Sequence, residues 1–305
     1  MAMEKNLIMV PYAEIPSMET GTSVAARKIK DRKAMYLKNA CVSLVSAKSH
    51  NPECAVALVT NIDVPPSYAD VLKRGGVEVI SLPFKWFNFG DGYTWGLAYY
   101  KLCAQYYAAH ELDYDHVLCL DSDVYVQGSL KSMWAEADSQ LLICGTVGDT
   151  DFCREAPAFT HADGEYIRYG GEFIAATKDT LKSLTEQELC VFQKMKETGF
   201  RTVSGDEFIV SLVLHNGAYA FRLVDDLYIS RFWTGAYRRV FPGYKNIPLL
   251  HVPVEKWAGM VALYDRYISR NRIPEDRTAY HLLHLDHRSP QEAAKYLVKK
   301  ALGKI

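Results

Sequence analysis

The chain has 305 residues, 49% of them hydrophobic, enough for one large α/β domain or two smaller ones around a substantial core. Thirty-five Lys and Arg stand against 36 Asp and Glu, and the net charge of -1 leaves no electrostatic footprint for sequence-independent nucleic-acid binding. No apolar run approaches the roughly 20 residues of a membrane span, and no hydrophobic stretch of a secretory signal precedes Glu14 and Glu19.

An apolar run at 6–10 predicts the first strand, followed by an irregular stretch with Pro11, Pro16 and Gly21. A helix is expected over 24–46, strands over 54–60 and 77–82, and between them a helix over 68–74 that stops at Gly75-Gly76. A helix over 95–110, a strand running into Asp121 and a strand over 141–144 continue the alternation. Strands alternating with helices predict βαβ units, and so an α/β fold with a mixed, mainly parallel central sheet flanked by helices.

Strands are expected at 166–176 and 218–223, and a helix at 206–215. No linker, repeat or low-complexity tract divides the chain, so a single domain is expected, with a long insertion near 150–166. Ser289-Pro290-Gln291-Glu292 is a strong helix start and predicts an amphipathic helix at about 289–303, with lysines around an apolar face of Ala294, Leu297, Val298 and Ala301. That helix is expected to dock on its own domain, with peripheral contact to an anionic membrane as the alternative. Seven scattered cysteines without a C-x-x-C pair read as reduced thiols, which makes a cytoplasmic protein the expectation.

The chemistry concentrates at 116–126, where the apolar strand ends in Asp121-Ser122-Asp123. In an open α/β sheet the carboxyl ends of strands are where ligands bind. Carboxylate oxygens suit Mg²⁺ or Mn²⁺, which leave coordination positions for substrate phosphates, so a nucleotide or nucleotide-sugar diphosphate is the implied partner. An Asp-x-Asp is also a common turn sequence, and the strand in front of it carries the metal reading.

The order of motifs resembles glycosyltransferase family eight, the glycogenin-like retaining enzymes with the GT-A fold, over residues 6–257. Five places carry the resemblance. Tyr36-Leu37-Lys38-Asn39-Ala40 is similar to the segment whose Tyr stacks on the nucleotide base, although an extra run at about 14–33 precedes it here. Lys101-Leu102 resembles the helical pair whose Lys reaches the donor, and Asp121-Ser122-Asp123 matches the Asp-x-Asp that holds Mn²⁺.

Residues 168–176 and Ser204-Gly205-Asp206-Glu207 resemble the Asn-Ser-Gly strand and the later Asp-Gln pair that face the transferred sugar, with Tyr169-Gly170 and Glu207 as departures. Residues 251–257 are similar to a C-terminal His-x-x-Gly-x-x-Lys-Pro-Trp, without its Gly and Pro and with His251 and Lys256 one residue closer.

The resemblance implies Asp121, Asp123 and His251 as ligands of Mn²⁺ (or Mg²⁺). It places the donor against Val10, Tyr12, Tyr36, Lys101, Asp121, Ser122, Gly170, Gly171 and Lys256, and it makes Asp206 and Glu207 the catalytic candidates, Asp206 first. Asp206 has a local alternative as the N-cap of the helix that follows it.

The aromatic loop 84–95 is expected either to line a sugar pocket or to pack on the domain. Residues 232–239 offer Trp233 and Tyr237 for the acceptor and an Arg pair for an anionic group. The expected partners are a nucleotide-sugar donor, most readily a UDP-sugar, and a saccharide or glycoconjugate acceptor, with a homodimer left open. Two other readings stay open. One is a haloacid-dehalogenase-like phosphatase, with Asp121 as nucleophile and Asp225-Asp226 on Mg²⁺. The other is a non-catalytic carbohydrate-binding protein on the same fold.

Overall fold

The computed structural model describes residues 5–15, 31–90, 92–93, 95–145, 150–217, 219–234, 242–285 and 298. The first half alternates as the hydrophobic pattern predicts: β1 (Asn6–Tyr12), α1 (Arg32–His50), β2 (Ala55–Thr60), α2 (Pro66–Arg74), β3 (Glu78–Ser81), α3 (Tyr100–Glu111), β4 (His116–Leu120) and β5 (Val124–Val126). The remaining elements are α4 (Lys131–Ala137), β6 (Leu141–Gly145), α5 (Thr150–Thr160), β7 (Tyr169–Thr177), α6 (Lys178–Thr198), α7 (Asp206–His215), β8 (Phe221–Leu223), β9 (Ile229–Arg231), β10 (Leu249–His251), α8 (Gly259–Arg270) and α9 (Asp276–Leu282).

A seven-stranded sheet runs in the order β3-β2-β1-β4-β7-β6-β8. All its pairings are parallel except those of β7, which is antiparallel to both β4 and β6. The expected mixed, mainly parallel sheet is therefore present. Successive side chains of β1 and β4 enter two different cores: Ile8, Val10, Leu118 and Leu120 join one, and Leu7, Met9, Val117 and Cys119 join the other. Burial on both faces is why these strands read as unbroken apolar runs.

β1 extends past the expected 6–10 to Tyr12 and includes Pro11. Pairing to β4 stops at Met9, so Pro11 lies where one side of the strand has no ladder partner to lose. α1 begins at Arg32, where Asp31 caps it by accepting from the Ala34 amide at 3.0 Å; the expected start at 24 falls on residues 24–30, which lie outside the described residues. The expected insertion at 150–166 contains a helix, α5, with Pro157 inside it.

A small second sheet, β5-β10-β9, sits beyond the carboxyl end of β4. It places His251 opposite Val124 on one side and opposite Arg231 on the other. The antiparallel β7 brings its first residues to the same edge, where the Asp121 amide donates to the Glu172 carbonyl at 3.1 Å. All seven cysteines are free thiols, Cys153 and Cys190 exposed. Among the described residues no helix is long and apolar enough to cross a membrane. The expected helix at 289–303 lies outside the described residues except for Val298.

Candidate active site

The turn between β4 and β5 carries both carboxylates of the Asp-x-Asp, and β10, hydrogen-bonded to β5, delivers His251 to them. Ligand atoms of Asp121, Asp123 and His251 all lie within 4.8 Å of one another, a group able to hold a divalent metal ion. Two carboxylates and an imidazole are the donor set that Mn²⁺ or Mg²⁺ accepts, so these residues fit such an ion. Asp123 is 1% exposed, and its Oδ2 lies 3.1 Å from Nε2 of His251 and 3.2 Å from Nζ of Lys256.

Burial pushes the Asp123 carboxyl up, yet Lys256 and His251 together hold it well below the usual carboxylate range. Burial likewise opposes the charge on His251, but Asp123 and Glu172 raise its imidazole to about 9.

A second group of carboxylates faces the first across Lys101. The Lys101 ammonium lies 2.6 Å from Asp121 and 3.1 Å from Asp206, and it donates to the Gly171 carbonyl at 2.9 Å. Asp206 is not the N-cap of α7. Gly205, at φ 65°, occupies the cap and Asp206 is the first helical residue. Burial raises the Asp206 carboxyl, and Asp121 adds to that rise against the opposing Lys101. The Glu207 Oε1 accepts from the Gly171 amide at 3.0 Å, and its Oε2 from Nε of Arg168 at 2.6 Å. Burial raises this carboxyl too, with Arg168 opposing.

The two glycines at the start of β7 make these approaches possible. A Cβ at Gly171 would stand 2.9 Å from Asp206 Oδ2 and 3.1 Å from Lys101 Nζ. At Gly170 a Cβ would run into the Glu172 carboxylate. Gly170 thus makes room for protein side chains as directly as for any ligand.

Of the other expected contacts, Tyr36 lies beside Lys256, its ring centroid 5.9 Å from the Lys256 Nζ. Tyr12 ends β1, its hydroxyl donating to Glu14 at 2.5 Å. Val10 is fully buried in the core beneath that strand end, and Ser122 is half-buried between the two aspartates. Trp233 is 55% exposed just after β9, and Tyr237 lies outside the described residues.

The aromatic loop mostly packs. Phe84 meets Tyr100 edge-on, Trp86 meets Tyr106, and Phe87 and Phe89 both meet Phe192 of α6. The one candidate metal group among the described residues does not include Asp225 or Asp226, the pair that the phosphatase reading places on Mg²⁺. Asp225 instead accepts from the Gly145 amide at 2.7 Å.

Three carboxylates near the site escape the sequence reading. Glu172, 3% exposed, touches His251 and Arg231. Glu155 of α5 accepts from the Val203 amide at 3.0 Å and from the Thr202 and Ser204 hydroxyls at 2.5 and 3.3 Å, fixing the loop that leads to Asp206. Glu188 of α6 is fully buried, and among the described residues neither of its carboxylate oxygens meets a hydrogen-bond partner. Burial, reinforced by nearby Asp206, raises its carboxyl well above the usual range. Only the S/T-rich approach to Gly205 hints at the Glu155 contact, and nothing in local sequence marks the other two.

No protein-family model and no curated protein sequence matches the chain. In fold it is similar to mouse xyloside xylosyltransferase 1 in its apo form, with a TM-score of 0.51 at 13% identity, over 82% of this chain and 97% of that one. At that identity the likeness is one of fold, and the fold is of the glycosyltransferase GT-A type.

Proposed function

We propose that this chain is a metal-dependent glycosyltransferase that moves a sugar from a nucleotide-diphospho-sugar, most readily a UDP-sugar, to a saccharide or other hydroxyl acceptor with retention. The observation that carries this reading is the convergence of Asp121, Asp123 and His251 at the carboxyl end of β4, with Lys101 and Lys256 alongside and Asp206 across Lys101. Asp121, Asp123 and His251 would hold the Mn²⁺ or Mg²⁺ ion, which would supply Lewis-acid stabilisation of charge on the departing diphosphate.

Lys101 beside Asp121 and Lys256 beside Asp123 add fixed positive charge to the same site, preorganised where negative charge develops. Tyr36, next to Lys256, offers a flat face for the nucleotide base. Asp206 stands on the far side of Lys101, where a carboxylate counters positive charge growing on the sugar. Glu207, fixed by Arg168 and the Gly171 amide, borders that position. Trp233, exposed beside the end of β9, is the acceptor candidate among the described residues.

The test is hydrolysis or transfer with a panel of UDP- and GDP-sugars, with Mn²⁺ and with a chelator. Metal-dependent donor turnover supports the transferase. Donor binding without turnover, against any acceptor, would move the chain to the carbohydrate-binding reading.

A further inference from the structure

Glu172 is a buried carboxylate that stands outside the metal cluster and touches it. Its Oε1 lies 3.3 Å from Nδ1 of His251, while the opposite ring nitrogen, Nε2, lies 3.1 Å from Asp123. The same Oε1 accepts from Nε of Arg231 at 2.8 Å and also from Nη2 of Arg231. Among the described residues, Oε2 meets no hydrogen-bond partner.

An arginine and a carboxylate left to themselves form a two-oxygen fork. Here both guanidinium donors converge on the one oxygen that also faces the imidazole, so the carboxylate is turned toward His251. Three separate elements hold the arrangement. The Glu172 carbonyl accepts from the Asp121 amide, Arg231 is paired with His251 across β9 and β10, and Gly170 lacks the Cβ that would collide with the Glu172 carboxylate.

A neutral imidazole has one N–H and one lone pair, and a partner on one nitrogen decides which is which. Ligating histidines characteristically donate their second nitrogen to a carboxylate, which fixes ring orientation and strengthens the ligand. We propose that Glu172, pinned by Arg231, is the positioning residue of the metal site: it takes the Nδ1–H of His251 and so presents the Nε2 lone pair beside Asp123 to the ion. This rests on the metal site proposed above.

The test measures Mn²⁺ affinity of the purified full chain by electron paramagnetic resonance, with no sugar donor present. Glu172→Leu should weaken Mn²⁺ binding about 10- to 100-fold, the usual effect of losing such a partner. Glu172→Gln, which lacks the charge but keeps an oxygen acceptor, should recover most of that loss. Because Glu172→Leu strands Arg231 and can misfold, the double variant Glu172→Leu with Arg231→Leu is measured beside it, and it should be as weak as the single variant.

In cadmium-loaded protein, nitrogen spectra should place the metal on Nε2 of His251 in the wild type and on either ring nitrogen in the double variant. Wild-type affinity in the double variant, or an equal loss in Glu172→Gln and Glu172→Leu, would overturn the role of Glu172. Failure of the wild type itself to take up Mn²⁺ would instead bring down the metal site and this role with it.

Discussion

Two groups of carboxylates meet at Lys101, and their surroundings are opposite. Asp123 and Glu172 are ringed by Lys256, His251 and Arg231, so that against the effect of burial Asp123 is held low and Glu172 is held at about 2. Asp206 and Glu188 are buried and Glu207 partly so; Lys101 and Arg168 do not offset burial at Asp206 and Glu207, Asp206 adds to it at Glu188, and all three carboxyls are raised. Environments that push neighbouring carboxyls apart assign them different work. The first group, surrounded by cations, favours its ionised form, and Asp123 within it belongs with Asp121 and His251 to the candidate metal group. In the second, Asp206 faces Lys101 at 3.1 Å and Glu207 is fixed by Arg168 and the Gly171 amide, outside the candidate metal group.

The largest effect is expected from the first group. Asp123→Ala should abolish Mn²⁺ uptake, read as complete loss of the bound-metal signal, while circular dichroism stays that of the wild type. Asp206→Asn should break the second group alone: Mn²⁺ and donor affinity should persist, and turnover should fall roughly a hundred- to a thousand-fold. Equal loss of donor binding and turnover in that variant would place Asp206 in the first group.

Protons sharpen the contrast next. His251 in the metal-free protein is raised to about 9 from 6.5, so its protonated form stabilises the fold below pH 6.5, and that contribution is lost as pH rises through about 9. Metal must displace the same proton, so Mn²⁺ affinity should climb with pH up to about 9 while the melting temperature of the metal-free protein falls. A melting temperature that is flat across that range would contradict the pairing of His251 with Asp123 and Glu172. The smallest effect belongs to Glu155, which only steadies the loop before Asp206. Glu155→Ala should cost about 1.5–3 kcal/mol of stability in denaturant unfolding, lower turnover, and leave Mn²⁺ affinity unchanged.

The uneven legibility of the sequence follows the same division. β4 and its Asp-x-Asp are plain because five buried residues in a row precede the carboxylates. Lys101 lies on an expected helix, and α7 matches its expected span of 206–215.

The small sheet was harder to see, because β5, β9 and β10 have three residues each, too few for a period to register. Thus His251 came from a motif, and Arg231, one strand over, did not come at all. The long helix α6 escaped because its inward face, which includes Leu181, Leu184, Phe192 and Met195, also carries Thr185 and Glu188. Those polar residues break the apolar spacing that marks a helix. α5 escaped because Pro157 inside it reads as a loop. Glu172 was hidden for a related reason. A charged residue among the buried residues of β7 makes sense only once Arg231 and His251 are known to face it.

In the proposed function Asp121, Asp123 and His251 hold a divalent ion that in turn carries a nucleotide diphosphate. Calorimetric titration of UDP and GDP into the wild type with Mn²⁺, into the wild type with a chelator, and into Asp123→Ala with Mn²⁺ tests it most directly. Binding of at least one nucleotide in the first titration and in neither of the others is the expected result. Equal affinity with and without the metal, or undiminished binding by Asp123→Ala, would contradict it.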